Sequence, residues 1–258
     1  MKEKDRSIWI FDLDDTLRWT SHEYSLQIAK FAHYLYKTLK QRVPYMTQLV
    51  QLQEEIDVKL TKTGGLSRDR FPQSFVAVYH DICKKGWILV NPKIEKYIYD
   101  MGSEVFKSKE AYREAGFIEG AEETLEFLLE KKDLLYLVTR GENDIQQNKI
   151  DGLRLERYIR QDNIFIVNPD KQPVFHAISE NQDKNKVMVV EDSLEIVNVA
   201  TISPLELRAI YIPSPTGTWK YENQGNGLKN PSRVKKFSKI IEIKERYAEL
   251  LEWRDAKQ

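Results

Sequence analysis

The sequence is poor in cysteine, in net charge and in long apolar runs. Cys83 is its only cysteine, which excludes an intrachain disulfide and favours a reducing compartment. Forty basic side chains balance forty acidic ones, so the long-range attraction of a dedicated nucleic-acid or membrane binder is missing, and we interpret the basic stretch 233–236 as a solvated face. No apolar run is long enough to cross a bilayer, and the charged start does not resemble a signal peptide. We therefore expect a cytoplasmic protein that binds neither nucleic acid nor membranes.

Several common catalytic signatures are also missing. The sequence contains no Gly-x-x-x-x-Gly-Lys-Ser/Thr phosphate loop, no Gly-x-Ser-x-Gly nucleophile elbow and no His-Glu-x-x-His zinc motif. The phosphate-loop nucleotide hydrolases, the serine α/β-hydrolases and the helical zinc peptidases therefore find no support in the sequence.

Short apolar runs that end abruptly in polar residues predict buried strands. Continuous runs of this kind are typical of parallel strands covered on both faces by helices. They occupy residues 8–11, 134–138 and 187–190, with further candidates at 164–167 and 207–212. Helical patterns between them predict an α/β fold with a Rossmann-like, doubly wound parallel sheet. Ligands of such sheets bind beyond the carboxyl ends of the strands, where the polar residues of this chain stand.

Residues 19–117 follow a different pattern, in which apolar side chains recur at helical spacing. The stripes run over residues 24–39, 49–60, 71–82 and 94–105. They predict an all-helical domain inserted into the α/β core. The expected division is thus a core of residues 1–18 and 118–258 and a helical insertion of residues 19–117, with a last amphipathic helix over 238–253.

The segment Asp12-Leu13-Asp14-Asp15-Thr16 carries the strongest chemical signal. Its carboxylates directly follow a buried strand, where they are electrostatically costly unless a cation neutralises them. Alternate residues of an extended chain point the same way, so Asp12 and Asp14 can act together as nucleophile and general acid–base. Helix capping by residues 14–16 is the plainer alternative, but it does not explain Asp12.

This segment resembles the first motif of the haloacid dehalogenase (HAD) superfamily, an apolar strand followed by Asp-x-Asp-x-Thr/Val. The resemblance runs from the N-terminus to about residue 212, and the helical insertion matches the cap position of the helical-cap (C1) class. Family members carry Thr or Ser at the end of the next core strand, and Thr139 fits. The resemblance implies that the Thr139 hydroxyl and the loop amides of Arg140 and Gly141 hold the transferring phosphoryl oxygens.

A lysine is the third element that the resemblance implies. The family often places it in a Lys-Pro-x-x-x-Phe setting, and Lys171-Gln172-Pro173-Val174-Phe175 looks like a shifted version. Lys184 and Lys186 lie just before the last core strand and compete for the role. We prefer Lys171, where the ammonium group would offset the negative charge of the site.

A pair of acids is the fourth element. Glu191-Asp192-Ser193 resembles the Glu-Asp-Ser form of phosphatases and β-phosphoglucomutases in the family. The expected Mg²⁺ ligands are Asp12, the backbone carbonyl of Asp14 and Asp192, with Glu191 bound directly or through water. The common extra acid after this motif is missing because Ile196 occupies its place, so metal binding depends more heavily on Glu191 and Asp192.

The helical-cap class builds its hinge and flap from the residues just after the first motif. Arg18, Trp19 and His22 are therefore expected to face the substrate, although a lone histidine is more often structural. Arg68 and Arg70 are further candidates for contacts with an anionic substrate tail.

The resemblance implies a Mg²⁺-dependent phosphatase that acts on a small-molecule phosphate ester. Asp12 would form an aspartyl-phosphate, and Asp14 would protonate the leaving alcohol and then activate water. A phosphomutase related to the β-phosphoglucomutases is the first alternative, and a non-catalytic regulator built on the same fold is the second. Dehalogenase chemistry fits less well, because those relatives lack the second aspartate and need no Mg²⁺.

Overall fold

The computed structural model describes residues 6–180, 182–214 and 227–256. The chain divides into two compact units, Met1–Trp19 with Ser108–Gln258, and Thr20–Lys107. We call the first the sheet unit and the second the helical unit. Within the described residues, no helix combines the length and the apolar character that a membrane span requires.

The helical unit consists of the helices that the apolar stripes predict. Its helices are α1 (Ser21–Leu39), α2 (Met46–Gly64), α3 (Arg70–Lys85) and α4 (Pro92–Ser103). The start of α4 follows a local signal, since the Asn91 side chain accepts a hydrogen bond from the Lys93 N–H at 3.0 Å. The stripes form one apolar core, in which the rings of Phe31 and Phe75 stack with centroids 4.2 Å apart.

The sheet unit is built on parallel strands. They are β1 (Ile8–Phe11), β2 (Leu134–Arg140), β3 (Ile164–Val167), β4 (Val187–Glu191), β5 (Arg208–Tyr211) and β6 (Val234–Lys236). The sheet has six strands in the order β3-β2-β1-β4-β5-β6. Phe11 aligns with Leu137 of β2 and with Val190 of β4, so the carboxyl ends of the central strands lie at the same edge. The predicted α/β, Rossmann-like doubly wound sheet is confirmed.

Helices cover both faces of this sheet. They are α5 (Lys109–Ala115), α6 (Ala121–Glu130), α7 (Asn143–Leu153), α8 (Gln172–Ser179), α9 (Leu194–Thr201), α10 (Glu242–Glu245) and α11 (Tyr247–Asp255). Trp9 and Phe11 belong to the apolar core on one face, whereas Ile8 and Ile10 belong to the core on the other. Burial on both faces explains why β1 is a continuous apolar run rather than an alternating one.

The helical unit ends earlier in the chain than we predicted. The expected cap reached residue 117, but the unit ends at Lys107 and α5 belongs to the sheet unit. Gly152 of α7 lets α5 approach so closely that an added Cβ would lie 2.7 Å from Tyr112 Cβ. The apolar stripes end at residue 105, so the sequence pattern did not predict α5 or indicate which core its apolar face joins.

The C-terminal part also differs from the sequence-based prediction. The basic stretch 233–236 is not simply a solvated face, because Val234–Lys236 forms β6 and pairs in parallel with β5. The single helix predicted over 238–253 is two helices, α10 and α11, with Arg246 between them at φ −109 and ψ 21. One-sided burial at the edge of the sheet gives β6 no continuous apolar run.

Candidate active site

The carboxyl edge of the sheet gathers the acidic residues that the motifs contain. Asp12 directly follows β1, and its N–H extends the β1–β4 pairing by donating to the Val190 carbonyl at 3.0 Å. Glu191 is the last residue of β4 and Asp192 follows it, while Thr139 lies near the end of β2. All four predicted site residues therefore share one edge, as the rule for parallel sheets requires.

The loop after β1 is a closed turn. The Arg18 N–H donates to the Leu13 carbonyl at 3.1 Å, and the Asp15 N–H donates to the Arg18 carbonyl at 2.7 Å. Asp15 itself has φ 59, a left-handed conformation that aspartate adopts more readily than most residues. The Asp14 side chain, which belongs to this turn, contacts α7.

Lys171 connects the nucleophile candidate to the acidic pair. Its Nζ lies 2.5 Å from Asp12 Oδ1 and 2.7 Å from Glu191 Oε2, and the lysine side chain is only 2% exposed. Lys184, which we had considered for the same role, instead donates to the Pro204 carbonyl at 2.7 Å. The lysine at the site is thus Lys171, which precedes α8 and follows β3.

Asp12, Glu191 and Asp192 form a buried set of potential metal ligands. One carboxylate oxygen from each lies within 4.8 Å of the others. Glu191 Oε1 also accepts a hydrogen bond from the Ser193 N–H at 3.2 Å, which fixes the orientation of this carboxylate. Hard oxygen ligands in this arrangement fit Mg²⁺, which keeps several waters and needs few protein ligands. The Asp14 carbonyl stays a predicted ligand.

The electrostatics of the cluster also favour a bound cation. Burial raises the pKa of Asp12 from 3.8 to about 8, and the charges of Glu191 and Asp14 add to this effect, although Lys171 opposes it. Burial disfavours the Lys171 ammonium group, but the charges of Asp12 and Glu191 outweigh this cost and raise its pKa. Carboxylates therefore outnumber the ammonium groups that contact them, and a divalent ion would relieve the excess of negative charge.

Asp14 has partners that the sequence did not suggest. Lys149 Nζ lies 2.7 Å from each carboxylate oxygen of Asp14, and Gln146 Nε2 donates to Asp14 Oδ2 at 3.0 Å. Both partners are buried and lie three residues apart on one face of α7. The only sequence signal is that a lysine and a glutamine occupy the buried side of this helix, next to Ile145 and Ile150.

Several hydroxyl groups near the motifs are buried without a hydrogen-bond partner. Among the residues that the structure describes, these are the side-chain oxygens of Thr16, Thr139 and Ser193. A buried hydroxyl without a partner carries a desolvation cost that a bound anion can remove by accepting a hydrogen bond. Thr139 therefore keeps the phosphoryl-binding role that we predicted, and Thr16 and Ser193 join it as candidates.

The comparisons with known proteins identify the fold. No family model and no curated protein matches the sequence, but solved structures match nearly the whole chain. A haloacid dehalogenase-like family hydrolase from Xanthomonas campestris has a TM-score of 0.70 at 16% identity, covering 97% of this chain and 98% of that one. A HAD hydrolase from Bacillus subtilis bound to magnesium has a TM-score of 0.57 at 16% identity, covering 95% and 99%. A protein assigned as β-phosphoglucomutase from Thermotoga maritima has a TM-score of 0.59 at 19% identity, covering 94% and 99%.

The chain has the haloacid dehalogenase-like fold. Other solved structures that match this chain include a predicted phosphoglycolate phosphatase at 15% identity and a 2-haloacid dehalogenase at 18% identity. The HAD-like fold that we expected from the motifs is therefore confirmed. Proteins with this fold catalyse different reactions, so the reaction of this chain has to be inferred from its own residues.

The structure shows the surroundings of the other residues that were predicted to bind the phosphoryl group or the substrate. The Gly141 amide donates to the Val167 carbonyl at 3.0 Å, so it is already used by the β2–β3 pairing and does not point to a phosphoryl group. The Arg140 carbonyl accepts a hydrogen bond from Gln146 Nε2 at 2.8 Å, and the Arg140 amide stays a predicted phosphoryl ligand. Arg18 is fully buried, with its guanidinium 4.4 Å from the centroid of the Tyr112 ring, and its contact with substrate stays a prediction.

The residues expected to contact substrate from the helical unit have different surroundings. His22 is exposed near the start of α1, and its contact with substrate stays a prediction. Arg68 is exposed as well. Arg70 is buried and forms an ion pair with the buried Asp57 of α2, which explains it as a structural residue of this unit. Burial raises the pKa of Asp57, while Arg70 favours its charged form.

Proposed function

We propose that this protein is a Mg²⁺-dependent phosphohydrolase that removes phosphate from a small-molecule phosphomonoester through an aspartyl-phosphate on Asp12. One observation carries the proposal: the Asp12 carboxylate contacts Lys171 at 2.5 Å and lies within a buried set of oxygen ligands. A buried carboxylate in this setting is held in place by the lysine and lies near further oxygen atoms that could bind a divalent ion with it.

Asp12, Glu191 and Asp192 would hold the metal ion, together with the carbonyl of Asp14. When bound, Mg²⁺ would supply positive charge between the Asp12 carboxylate and the phosphoryl oxygens. The buried, unbonded donor of Thr139 would bind one phosphoryl oxygen. Lys171 would favour the ionised form of Asp12 and orient its carboxylate while the ester binds.

The reaction takes place in two displacements. A carboxylate oxygen of Asp12 attacks phosphorus, the bond from phosphorus to the ester oxygen breaks, and Asp14 gives its proton to the leaving alcohol. A water molecule then attacks the phosphorus of the aspartyl-phosphate and gives its proton to Asp14. The bond between phosphorus and the Asp12 oxygen breaks, and inorganic phosphate leaves a regenerated carboxylate.

Phosphoryl transfer explains more of the site than dehalogenation does. Displacement of a halide from carbon requires neither an acid–base carboxylate beside the nucleophile nor a set of metal ligands. This chain has both, in Asp14 and in the buried acids Glu191 and Asp192. We therefore propose the phosphatase reaction in spite of the dehalogenases among proteins with the same fold.

The direct test measures phosphate release from a panel of phosphomonoesters with Mg²⁺ and with a chelator. Asp12→Asn and Asp192→Asn are expected to abolish the release. Asp15→Asn is the matched control, because it makes the same chemical change in the same loop, at a φ of 59 that asparagine adopts readily. Activity of Asp12→Asn equal to that of the wild type would rule out the aspartyl-phosphate mechanism.

The products distinguish the remaining reactions. Conversion of a sugar phosphate into its isomer without free phosphate would replace the phosphatase by a phosphomutase, which also uses an aspartyl-phosphate. Release of halide from 2-haloacids, with no phosphate from any ester, would replace it by a dehalogenase. Binding of a phosphate ester without turnover would leave a regulatory protein of this fold.

A further inference from the structure

Asp14 is held by two side chains of α7 that no motif of the sequence indicated. Lys149 Nζ contacts both carboxylate oxygens at 2.7 Å, and Gln146 Nε2 contacts Oδ2 at 3.0 Å. The Lys149 side chain is 6% exposed, whereas that of Asp14 is 27% exposed. The carboxylate thus has the lysine behind it and keeps an accessible side.

Burial of an ammonium group is costly unless its hydrogen bonds and charge are satisfied. Lys149 lies on the buried side of α7, where an apolar residue would pack against Ile145 and Ile150 more favourably. Core packing alone would not favour a lysine at this position, so its contact with Asp14 is the better explanation for it. Gln146 also donates to the Arg140 carbonyl at 2.8 Å, which ties this pair of side chains to the end of β2.

The backbone of the β2–α7 loop makes room for this arrangement. Gly141 has φ 146, and a Cβ at this position would lie 2.7 Å from Gln146 Nε2. Any other residue would push the Gln146 side chain away from Asp14 and add backbone strain. The loop glycine thus leaves space for the glutamine, and the glutamine and the lysine of α7 both bind the Asp14 carboxylate.

We propose that Lys149 and Gln146 are positioning residues that hold the Asp14 carboxylate where it meets the leaving oxygen and, later, the attacking water. This inference rests on the proposed function of Asp14 as the general acid–base. A proton donor must lie within hydrogen-bond distance of the oxygen it serves, so an unanchored Asp14 would lose much of the gain from acid catalysis. Among the described residues, the side chains of Lys149 and Gln146 form hydrogen bonds with Asp14 and with the Arg140 carbonyl, so they would act through Asp14.

The leaving group gives a specific readout of this role. An alkyl phosphate needs a proton on its departing oxygen, whereas 4-nitrophenolate leaves readily without one. The value of kcat/KM covers the steps up to phosphoryl transfer to Asp12. Loss of the anchor should therefore lower kcat/KM for an alkyl phosphate by roughly 100-fold and for 4-nitrophenyl phosphate by less than about tenfold.

The experiment compares the alkyl-to-aryl ratio of kcat/KM in the wild type, Lys149→Met, Lys149→Arg and Gln146→Ala. Gln147→Ala is the matched control, since Gln147 lies on the same helix and bonds to Asp151 rather than to Asp14. Lys149→Met and Gln146→Ala should lower the ratio, Lys149→Arg should restore part of it, and Gln147→Ala should leave it unchanged. In an Asp14→Asn background, Lys149→Met should cause no further decrease.

The outcomes separate the inference from the function on which it rests. If the wild type hydrolyses both esters but Lys149→Met leaves the ratio unchanged, or lowers both rates equally, the positioning role is overturned alone. An increased rate with the alkyl ester would overturn it too, since Lys149 would then hold Asp14 away from the substrate. If the wild type hydrolyses neither ester, the proposed function fails and the inference fails with it.

Discussion

At the scale of single residues, Asp12 has to be both buried and ionised. Burial raises its pKa to about 8, which makes the metal-free carboxylate a proton carrier at neutral pH. The ligand that binds Mg²⁺ is the deprotonated form, so metal binding has to displace this proton. The carboxylate can be both buried and ionised only when cations surround it, and Lys171 is one of these cations.

Mg²⁺ affinity should therefore depend on pH. Because the pKa is raised, folded metal-free protein retains the Asp12 proton up to about pH 8. The apparent affinity should rise by about tenfold per pH unit from roughly pH 6 to 8 and level off above. Calorimetric titration at several pH values, in buffers of different ionisation enthalpy, measures both the affinity and the released proton. An affinity that is constant over this range would contradict the raised pKa.

The raised pKa of Asp12 also affects the stability of the metal-free protein, which should fall with rising pH where the Mg²⁺ affinity rises. A carboxyl group with a pKa raised by folding binds its proton more tightly in the folded state than in the unfolded state. The contribution of Asp12 to stability is thus largest at low pH and is lost as the pH rises from its ordinary pKa of 3.8 towards 8. Binding of Mg²⁺, as proposed, would reverse this loss by favouring the ionised form.

Replacement of Lys171 by methionine should affect catalysis strongly. Asp12 and Glu191 would lose the buried cation that lies 2.5 and 2.7 Å from their oxygens, and the orientation of the nucleophile would no longer be fixed. We expect kcat to decrease by about 100- to 1,000-fold, as for the loss of other preorganised charged groups. Steady-state kinetics measure the effect.

Lys184→Met is the control for this variant, because Lys184 is 45% exposed and bonds to the Pro204 carbonyl. It should keep the activity of the wild type. Lys171→Met with full activity would contradict the role of Lys171.

At the scale of secondary structure elements, the loop between β2 and α7 lies against Gln146, which bonds to Asp14, the proposed acid–base residue. Gly141→Ala should strain a backbone with φ 146 and move the Gln146 side chain, whose Nε2 lies 2.7 Å from the added Cβ. We expect a loss of about 1–3 kcal/mol in the free energy of unfolding and a loss of activity with alkyl phosphates. Denaturant unfolding and the kinetics of both esters test this.

Gly116→Ala separates strain from displacement. Gly116 has φ 68, but a Cβ there would meet nothing within 4 Å. This variant should lose stability because of its backbone and should keep the wild-type alkyl-to-aryl ratio. If both alanine variants show the same kinetics, the contact between Gly141 and Gln146 has no part in positioning Asp14.

The elements differ in how well the sequence predicts them. The central strands could be predicted because Ile8–Phe11 and Val187–Glu191 are buried on both faces and therefore consist of continuous apolar runs. Edge strand β6 could not, because two of its three residues are lysines and its burial is partial. Asp12 and Asp192 follow such central strands, which is why the acidic part of the site was also predictable.

The partners of Asp14 could not be predicted from the sequence. A lysine within a helix is ordinarily a solvated residue, and nothing in the spacing of Gln146 and Lys149 indicates Asp14, which lies 135 residues from Lys149. The burial of Arg18 was hidden for a similar reason, since Tyr112 is distant in sequence and α5 had been placed in the other domain. Contacts of this kind depend on how elements pack rather than on local pattern.

At the scale of the whole molecule, Asp133 connects distant parts of the sheet unit at the edge opposite the site. It accepts hydrogen bonds from the Ser7 N–H at 3.1 Å, from Trp9 Nε1 at 2.8 Å and from the Tyr247 hydroxyl at 2.7 Å. Burial raises the pKa of Asp133, while these donors stabilise its charged form. The first strand and the last helix are thus attached to one side chain.

Asp133→Ala should leave these donors without an acceptor. We expect the free energy of unfolding to fall by about 3 kcal/mol or more, because each unsatisfied buried donor costs about 1–3 kcal/mol. The kcat of the folded enzyme should change little, since Asp133 precedes β2 and lies far from its carboxyl end. Denaturant unfolding and active-site-normalised kinetics measure the two effects, and a large loss of kcat at unchanged stability would contradict this assignment.

The central place of β1 also constrains the order in which the chain can mature on the ribosome. This strand is synthesised before the other five strands of the sheet, yet its hydrogen-bonding partners are β2 and β4, the latter beginning only at Val187. The helical unit Thr20–Lys107 is one continuous segment that is synthesised between β1 and β2. It can therefore fold before β1 has a strand to pair with. A nascent chain therefore carries Asp12, the proposed nucleophile, well before Glu191 and Asp192, so the proposed site is complete only once β4 has been synthesised.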